Sequence, residues 1–410
     1  MAGKSILPNW HLSSGTDMKI NYPLLALAIG AFAIGTTEFS PMGFLPEIAS
    51  DLSISIPQAG LLISAYATGV MIAAPVMTLL LNRYSKRTAL ILLMGIFTVG
   101  NICATFAPDF LSLMAARILT SLNHGAFFGI GSVVAASVVP KDKQASAVAT
   151  MFMGLTIANI GGVPLATWIG QNVGWRISFT AISLLGVLTM FSVWKAIPEG
   201  KNTEKTDILS ELKVLGRKPV LLALLTTVMS AGAMFTLYTY IAPSLKTFTH
   251  ASPLLITLML VLIGIGFSVG NHLGGKFADL SVNKTLIGFL LMLTAMMLLF
   301  PLLATTATGA AIALILWGTA AFAVVPPLQI RVMAVAHDAP GLASSVNIGA
   351  FNLGNALGAV AGAYVLNQGL GYHIVSFTGA GLSLAALILV FIQMQHDNVS
   401  TASLQKCTES

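Results

Sequence analysis

The sequence predicts an all-α integral membrane protein, with twelve transmembrane helices in two six-helix bundles related by a pseudo-two-fold axis. Three observations carry that prediction. Of 410 residues, 56% are hydrophobic and 8% charged, against about 25% charged in an average soluble domain. The apolar residues gather into twelve runs, each about long enough to cross a bilayer as a helix. One long polar stretch, 198–219, divides those runs six and six.

In chain order the runs are about 22–46, 58–81, 88–107, 111–138, 144–170, 176–196, 220–243, 252–275, 284–304, 308–330, 341–366 and 373–394. Residues 1–18 precede them. They are polar, contain Pro8 and Gly15, lack the order of a signal peptide and read as a disordered extension. An N-terminal bundle over 19–196, a linker over 197–219, a C-terminal bundle over 220–396 and a tail over 397–410 follow. An even number of spans places both termini on one side. All of the 20 basic residues except Arg117, Arg176 and Lys246 fall on that side, which the positive-inside rule makes cytoplasmic. The net charge of +6 therefore orients the chain against anionic lipid and does not call for a nucleic-acid partner. Cys103 lies in an apolar run and Cys407 in the tail, so neither a disulfide framework nor a zinc site is predicted. No nucleotide-binding domain or soluble catalytic constellation is visible, and no cofactor or enzyme activity is expected.

The halves carry a faint internal repeat. Pro243 stands 197 positions after Pro46, and the same offset relates Asn82 to Asp279 and Gln171, Gly174, Trp175 and Arg176 to Gln368, Gly371, Tyr372 and His373. Two parallel repeats with a site between them near the midplane are a transporter architecture. The repeat also maps Glu38 onto Phe235 and Arg117 onto Leu314, which confines the ionisable equipment to the first half.

Glu38 is the carboxylate inside an apolar run. An acid at the centre of a membrane helix costs roughly 2.5–3.5 kcal/mol on insertion scales, so it marks a functional site by default. The plainer alternative is a structural glutamate paired with a buried cation. Arg117, in the fourth run, stands at a similar depth, about 9–12 Å below the outer edge at 1.5 Å per residue, and is the expected partner. Arg117, Ser121, His124 and Phe128 share one stripe of a helix. His124 has three open readings: proton relay, substrate contact, or a packing histidine beside Gly125.

Uncharged polar groups at membrane depth, Asn159, Asn347, Asn352 and Asn355, and the aromatic residues Phe235, Tyr238, Tyr240 and Phe322 are candidate substrate contacts. Gly154, Gly161, Gly162 and Pro164 give the fifth helix a closely packed surface, and Pro326 and Pro327 predict a kink in the tenth.

Several of these segments resemble the major facilitator superfamily, and within it the twelve-span drug:proton antiporters of the arabinose-efflux-permease and sugar-efflux type. GTTEFSPMGFLPEIASDLSIS, from Gly35, is similar to that subgroup's opening. LMAARILTSLNHGAFFG contains the arginine of the helix 4 motif at Arg117, and GLTIANIGGVP, from Gly154 to Pro164, resembles the helix 5 antiporter motif, followed by GWRISF. The resemblance implies gating positions at Asn82, Arg83, Arg87, Gly275 and Asp279. The chain departs from the family pattern at Thr78, Asn82 and Ser85 in the loop after the second span, at Leu280, and at Ser121. It further implies a monomer in a bacterial inner membrane, exchanging protons for a small-molecule substrate. The favoured function is proton-coupled export of small organic compounds, amphenicol-like drugs or sugars. The alternative is a passive facilitator or membrane receptor for a sugar or nucleoside-like metabolite.

Overall fold

The computed structural model describes residues 21–54, 56–199 and 208–408, and these form helices joined by short turns. The expected extension at 1–18 lies outside the described residues, as does the middle of the linker. Helix starts follow the local chemistry. Asn21 accepts a hydrogen bond from the Leu24 amide to open α1, Tyr22–Gly43. A short helix, Leu45–Asp51, leads to α2, Ile56–Leu81. Ser85 caps α3, Lys86–Thr105, and an Asp109–Ser112 capping box opens α4, Phe110–Ser137.

Eleven helices among the described residues are long and apolar enough to span a membrane, because the fifth and sixth runs form one helical stretch, Lys141–Ala196. At 1.5 Å per residue its 56 residues would reach about 84 Å, far beyond a hydrocarbon core of about 30 Å. The stretch is divided at Gly174, whose φ of 134° is open to glycine and strained for other residues. We therefore number α5 as 144–169 and α6 as Trp175–Ala196. The second half continues with α7, Lys218–Tyr238; α8, Pro253–Leu280; α9, Val282–Leu303; α10, Ala307–Val335; α11, Pro340–Asn367; and α12, Gly371–His396. The kink expected in α10 is a break at Val324, with Pro326 and Pro327 in the first turn of the helix that restarts at Val325.

Packing reproduces the repeat. In the first half α1 packs on α5, α2 on α4 and α3 on α6; in the second, α7 packs on α11, α8 on α10 and α9 on α12. Contacts between the halves obey the same two-fold relation: α2 meets α11 as α8 meets α5, and α4 meets α11 as α10 meets α5.

The polar contacts between halves lie toward the face that carries Asn21 and the end of α12. Asp279 accepts from the Ala145 and Ser146 amides at 2.8 and 3.2 Å and from the Ser146 hydroxyl, capping α5 from the other half. Asn271 donates to the Ala149 carbonyl at 2.6 Å. A Cβ on Gly275 would come within 2.5 Å of Ala149, so glycine sets how closely α8 and α5 approach. At the two-fold related seam Thr78 donates to Ser345 at 2.6 Å.

Part of the expected linker is ordered structure. The helix Ile208–Leu215 docks on this same face, where Glu211 accepts from Asn82 at 2.6 Å and Val214 is buried among Val220, Val332 and Leu342.

Candidate functional site

Between the halves, on the far side of that seal, lies a cavity of about 100 Å³. The first half contributes Glu38 and Phe39 from α1, His124 and Phe128 from α4, and Phe152, Leu155 and Asn159 from α5. The second contributes Phe235 and Tyr238 from α7, Phe267 from α8, Phe322 from α10 and Asn352 and Asn355 from α11. No lysine or arginine lines it.

Two aromatic walls face each other, one from each half. His124 and Phe152 lie 5.1 and 5.0 Å from Phe128, measured between ring centroids. Opposite them Phe267 stacks on Phe322 at 4.1 Å, and Tyr238 packs against Phe235, Phe267 and Trp317. Such faces hold flat apolar groups and leave orientation to a few polar atoms.

Those polar atoms are positioned by backbone bonds. Asn159 sits in a π-helical turn, Ala158–Gly162, that interrupts α5; such turns collect at functional sites. Its amide nitrogen donates to the Leu155 carbonyl at 3.1 Å, and Asn352 donates likewise to Ile348 at 3.0 Å. A carbonyl can only accept, so each amide turns its nitrogen to the backbone and leaves its oxygen without a hydrogen-bond partner among the described residues.

Glu38 and His124 come together at this cavity, with Glu38 Oε2 at 4.0 Å from His124 Nδ1. The expected Glu38–Arg117 ion pair is not formed. Arg117 donates to the Thr37 carbonyl at 3.0 Å and to its hydroxyl at 3.3 Å, and its guanidinium lies 4.3 Å over the Tyr66 ring. The reason is azimuth: neighbours on a helix project about 100° apart, and Arg117 reaches the Thr37 side of α1, behind the cavity wall. The stripe expected along α4 is broken for a related reason. The helix is interrupted at Leu122 and Asn123, so His124 and Phe128 reach the cavity whereas Arg117 and Ser121 do not.

Asn347 and Tyr240 do not line this cavity. Asn347 is fully buried outside the cavity, accepting from Thr227 and donating to Gln329, both at 2.7 Å. The Tyr240 hydroxyl donates to the Ala359 carbonyl at 2.9 Å. Among the helix 5 positions, Gly154 packs on α1, where a Cβ would fall 1.9 Å from the Ala28 carbonyl oxygen, and Gly162 packs on Thr36 and Phe32. Gly161 faces open space, and Pro164 restarts the α-helix after the π turn. Asn82, Gly275 and Asp279 lie in the seal. Arg83 lies over the Tyr84 ring, and Arg87 is 3.9 Å from Glu199.

Sequence reasoning missed the cavity residues Phe39, Phe152, Phe267 and Phe351, and Tyr66 beside His124. Aromatic residues in apolar runs are ordinary, and nothing in their spacing separates a cavity wall from a lipid-facing ring.

The Major Facilitator Superfamily model matches residues 27–347. Over 92% of this chain and 96% of the relative, the sequence is 66% identical to "Inner membrane transport protein YdhP" of Escherichia coli strain K12. It is 32% identical to the "Chloramphenicol resistance protein" of Streptomyces lividans, over 90% of this chain and 95% of that one. Among solved structures, the Escherichia coli fucose:proton symporter FucP superposes with a TM-score of 0.74 at 13% identity, covering 91% of this chain and 99% of that one.

Proposed function

The chain belongs to the Major Facilitator Superfamily, a family of transporters and not of enzymes, and from this premise we propose that it is a proton-coupled antiporter that exports small, largely uncharged organic compounds. One observation carries the reading: a carboxylate at membrane depth, Glu38, lines an aromatic cavity between two halves that are hydrogen-bonded to each other on one face.

A carboxylate at this depth is stabilised either by a proton or by a favourable partner. Substrate and proton share the cavity, so each changes the affinity for the other, as linkage requires. Protonation of Glu38 favours one arrangement of the halves and substrate the other, and alternating exposure of the cavity couples the two movements. Arg117 supplies positive charge behind Glu38 without entering the cavity. The absence of lysine and arginine from the lining favours neutral compounds over anions. The aromatic walls suit an amphenicol-like molecule, in line with the resistance protein among the relatives. The excess of basic residues in loops on the side of the termini supports cytoplasmic termini, with the cavity then on the outer side of the seal. The protein works as a monomer in a bacterial inner membrane.

Purified wild type and Glu38→Gln are to be compared in weakly buffered detergent while chloramphenicol, then arabinose, is added. The proposal expects a proton signal from wild type on binding of one of them, and none from Glu38→Gln. Equal binding to both proteins with no proton signal from wild type would contradict it.

A further inference from the structure

His124 is held through one nitrogen. Its Nδ1 lies 3.2 Å from the Tyr66 hydroxyl and 4.0 Å from Glu38 Oε2, the first within hydrogen-bond distance and the second beyond it. A neutral imidazole carries one proton, and the partner of one nitrogen decides which nitrogen holds it. Tyr66 is 2% exposed, so its hydroxyl proton needs an acceptor inside the protein. Among the described residues Nδ1 is the acceptor within reach. A phenol that donates to Nδ1 leaves the imidazole proton on Nε2.

Arg117 reinforces this polarity. Its guanidinium carbon sits 4.3 Å from the centre of the Tyr66 ring, where a cation draws charge from the π system and makes the hydroxyl the stronger donor. The guanidinium thus acts on His124 through Tyr66 while staying out of the cavity. Nε2 has no hydrogen-bond partner among the described residues, and His124 lines the cavity.

We propose that Tyr66 is a positioning residue that locks His124 as its Nε2–H tautomer, so that His124 meets the ligand as a hydrogen-bond donor. This rests on the cavity being the substrate site proposed above. The free oxygens of Asn159 and Asn352 complete the pattern as acceptors. The matching ligand is a neutral compound with a hydroxyl, carbonyl or ether oxygen directed at His124 and N–H or O–H groups directed at the asparagines. A ligand without that oxygen leaves a buried N–H unpaired and binds about tenfold more weakly.

Nitrogen-15 NMR of full-length, histidine-labelled protein in detergent at pH 8 tests the lock without any ligand. The His124 signals are identified by their loss in His124→Asn. Wild type is expected to show a protonated Nε2 and an unprotonated Nδ1. Tyr66→Phe keeps the ring beneath Arg117 and removes only the hydroxyl, and it is expected to show a protonated Nδ1 population. A wild-type proton on Nδ1, or a Tyr66→Phe spectrum unchanged from wild type, overturns the proposal. Should Tyr66→Phe fail to fold, the wild-type spectrum alone decides. Because no transport or binding is measured, failure of the antiport reading would leave this result standing, and the reverse also holds.

Discussion

Removing the Asp279 carboxylate should loosen one half of the seal. Asp279 accepts three hydrogen bonds at the start of α5, from two backbone amides and a serine hydroxyl, across the boundary between halves. Loss of an N-cap costs about 0.5–2 kcal/mol, and a hydrogen bond to a charged group contributes about 1.5–3 kcal/mol when shielded. The site is part-buried, so we take about 2 kcal/mol for Asp279→Ala in total. When the halves part at this face the bonds are lost in wild type as well, so the cost falls on the sealed state alone. The ratio of sealed to parted molecules should fall about 30-fold, at 1.36 kcal/mol per factor of ten. The assay is maleimide labelling of an Asn355→Cys reporter on the cavity wall, with Cys103 and Cys407 replaced by serine. A membrane-impermeant reagent applied from the cavity side should label the reporter more slowly in Asp279→Ala. Unchanged labelling would refute the assignment of Asp279 to the seal.

Three other outcomes follow from the packing and the charges. Gly154→Val places a side chain into the Ala28 carbonyl, an overpacking that should cost about 1–3 kcal/mol and lower the melting temperature. Asn347→Ala breaks its bonds to Thr227 and Gln329 and should destabilise by about 1–3 kcal/mol without weakening ligand binding, whereas Asn352→Ala should weaken binding with a smaller effect on melting. Asp51, outside the membrane, is held below the ordinary carboxylate range first by its hydrogen bond from Arg176. A folded-state value below the unfolded one contributes stability above about pH 4 that is lost as pH falls through the folded value. Acid titration of the melting temperature should therefore be flatter in Arg176→Gln than in wild type, and the two should not converge at neutral pH.

Which of these features could be read from the sequence follows from how many residues each one involves. Glu38, Asn159, Asn352 and Asn355 were visible because a polar group at membrane depth is a signal in a single position. The twelve spans and the repeat were visible because each rests on long runs or on several positions agreeing. The Glu38–Arg117 pair was misjudged because depth can be counted along a helix but azimuth across two helices cannot. Asn347 has the same chemistry as Asn352, five residues along α11, and only packing shows that one faces a buried network and the other the cavity. Tyr66 gave no signal because its role depends on a guanidinium above its ring and an imidazole beside its hydroxyl, each from α4. The fifth and sixth runs form one helical stretch broken at Gly174, whose positive φ leaves no trace in hydropathy.

The most direct test of the central claim is transport of chloramphenicol by reconstituted vesicles under an imposed pH gradient. Antiport predicts that movement follows the gradient in wild type and collapses with a protonophore. In Glu38→Gln, gradient-driven movement should vanish while exchange of labelled for unlabelled chloramphenicol persists. Wild-type movement that is indifferent to the gradient, at the same rate as in Glu38→Gln, would contradict proton coupling at this site.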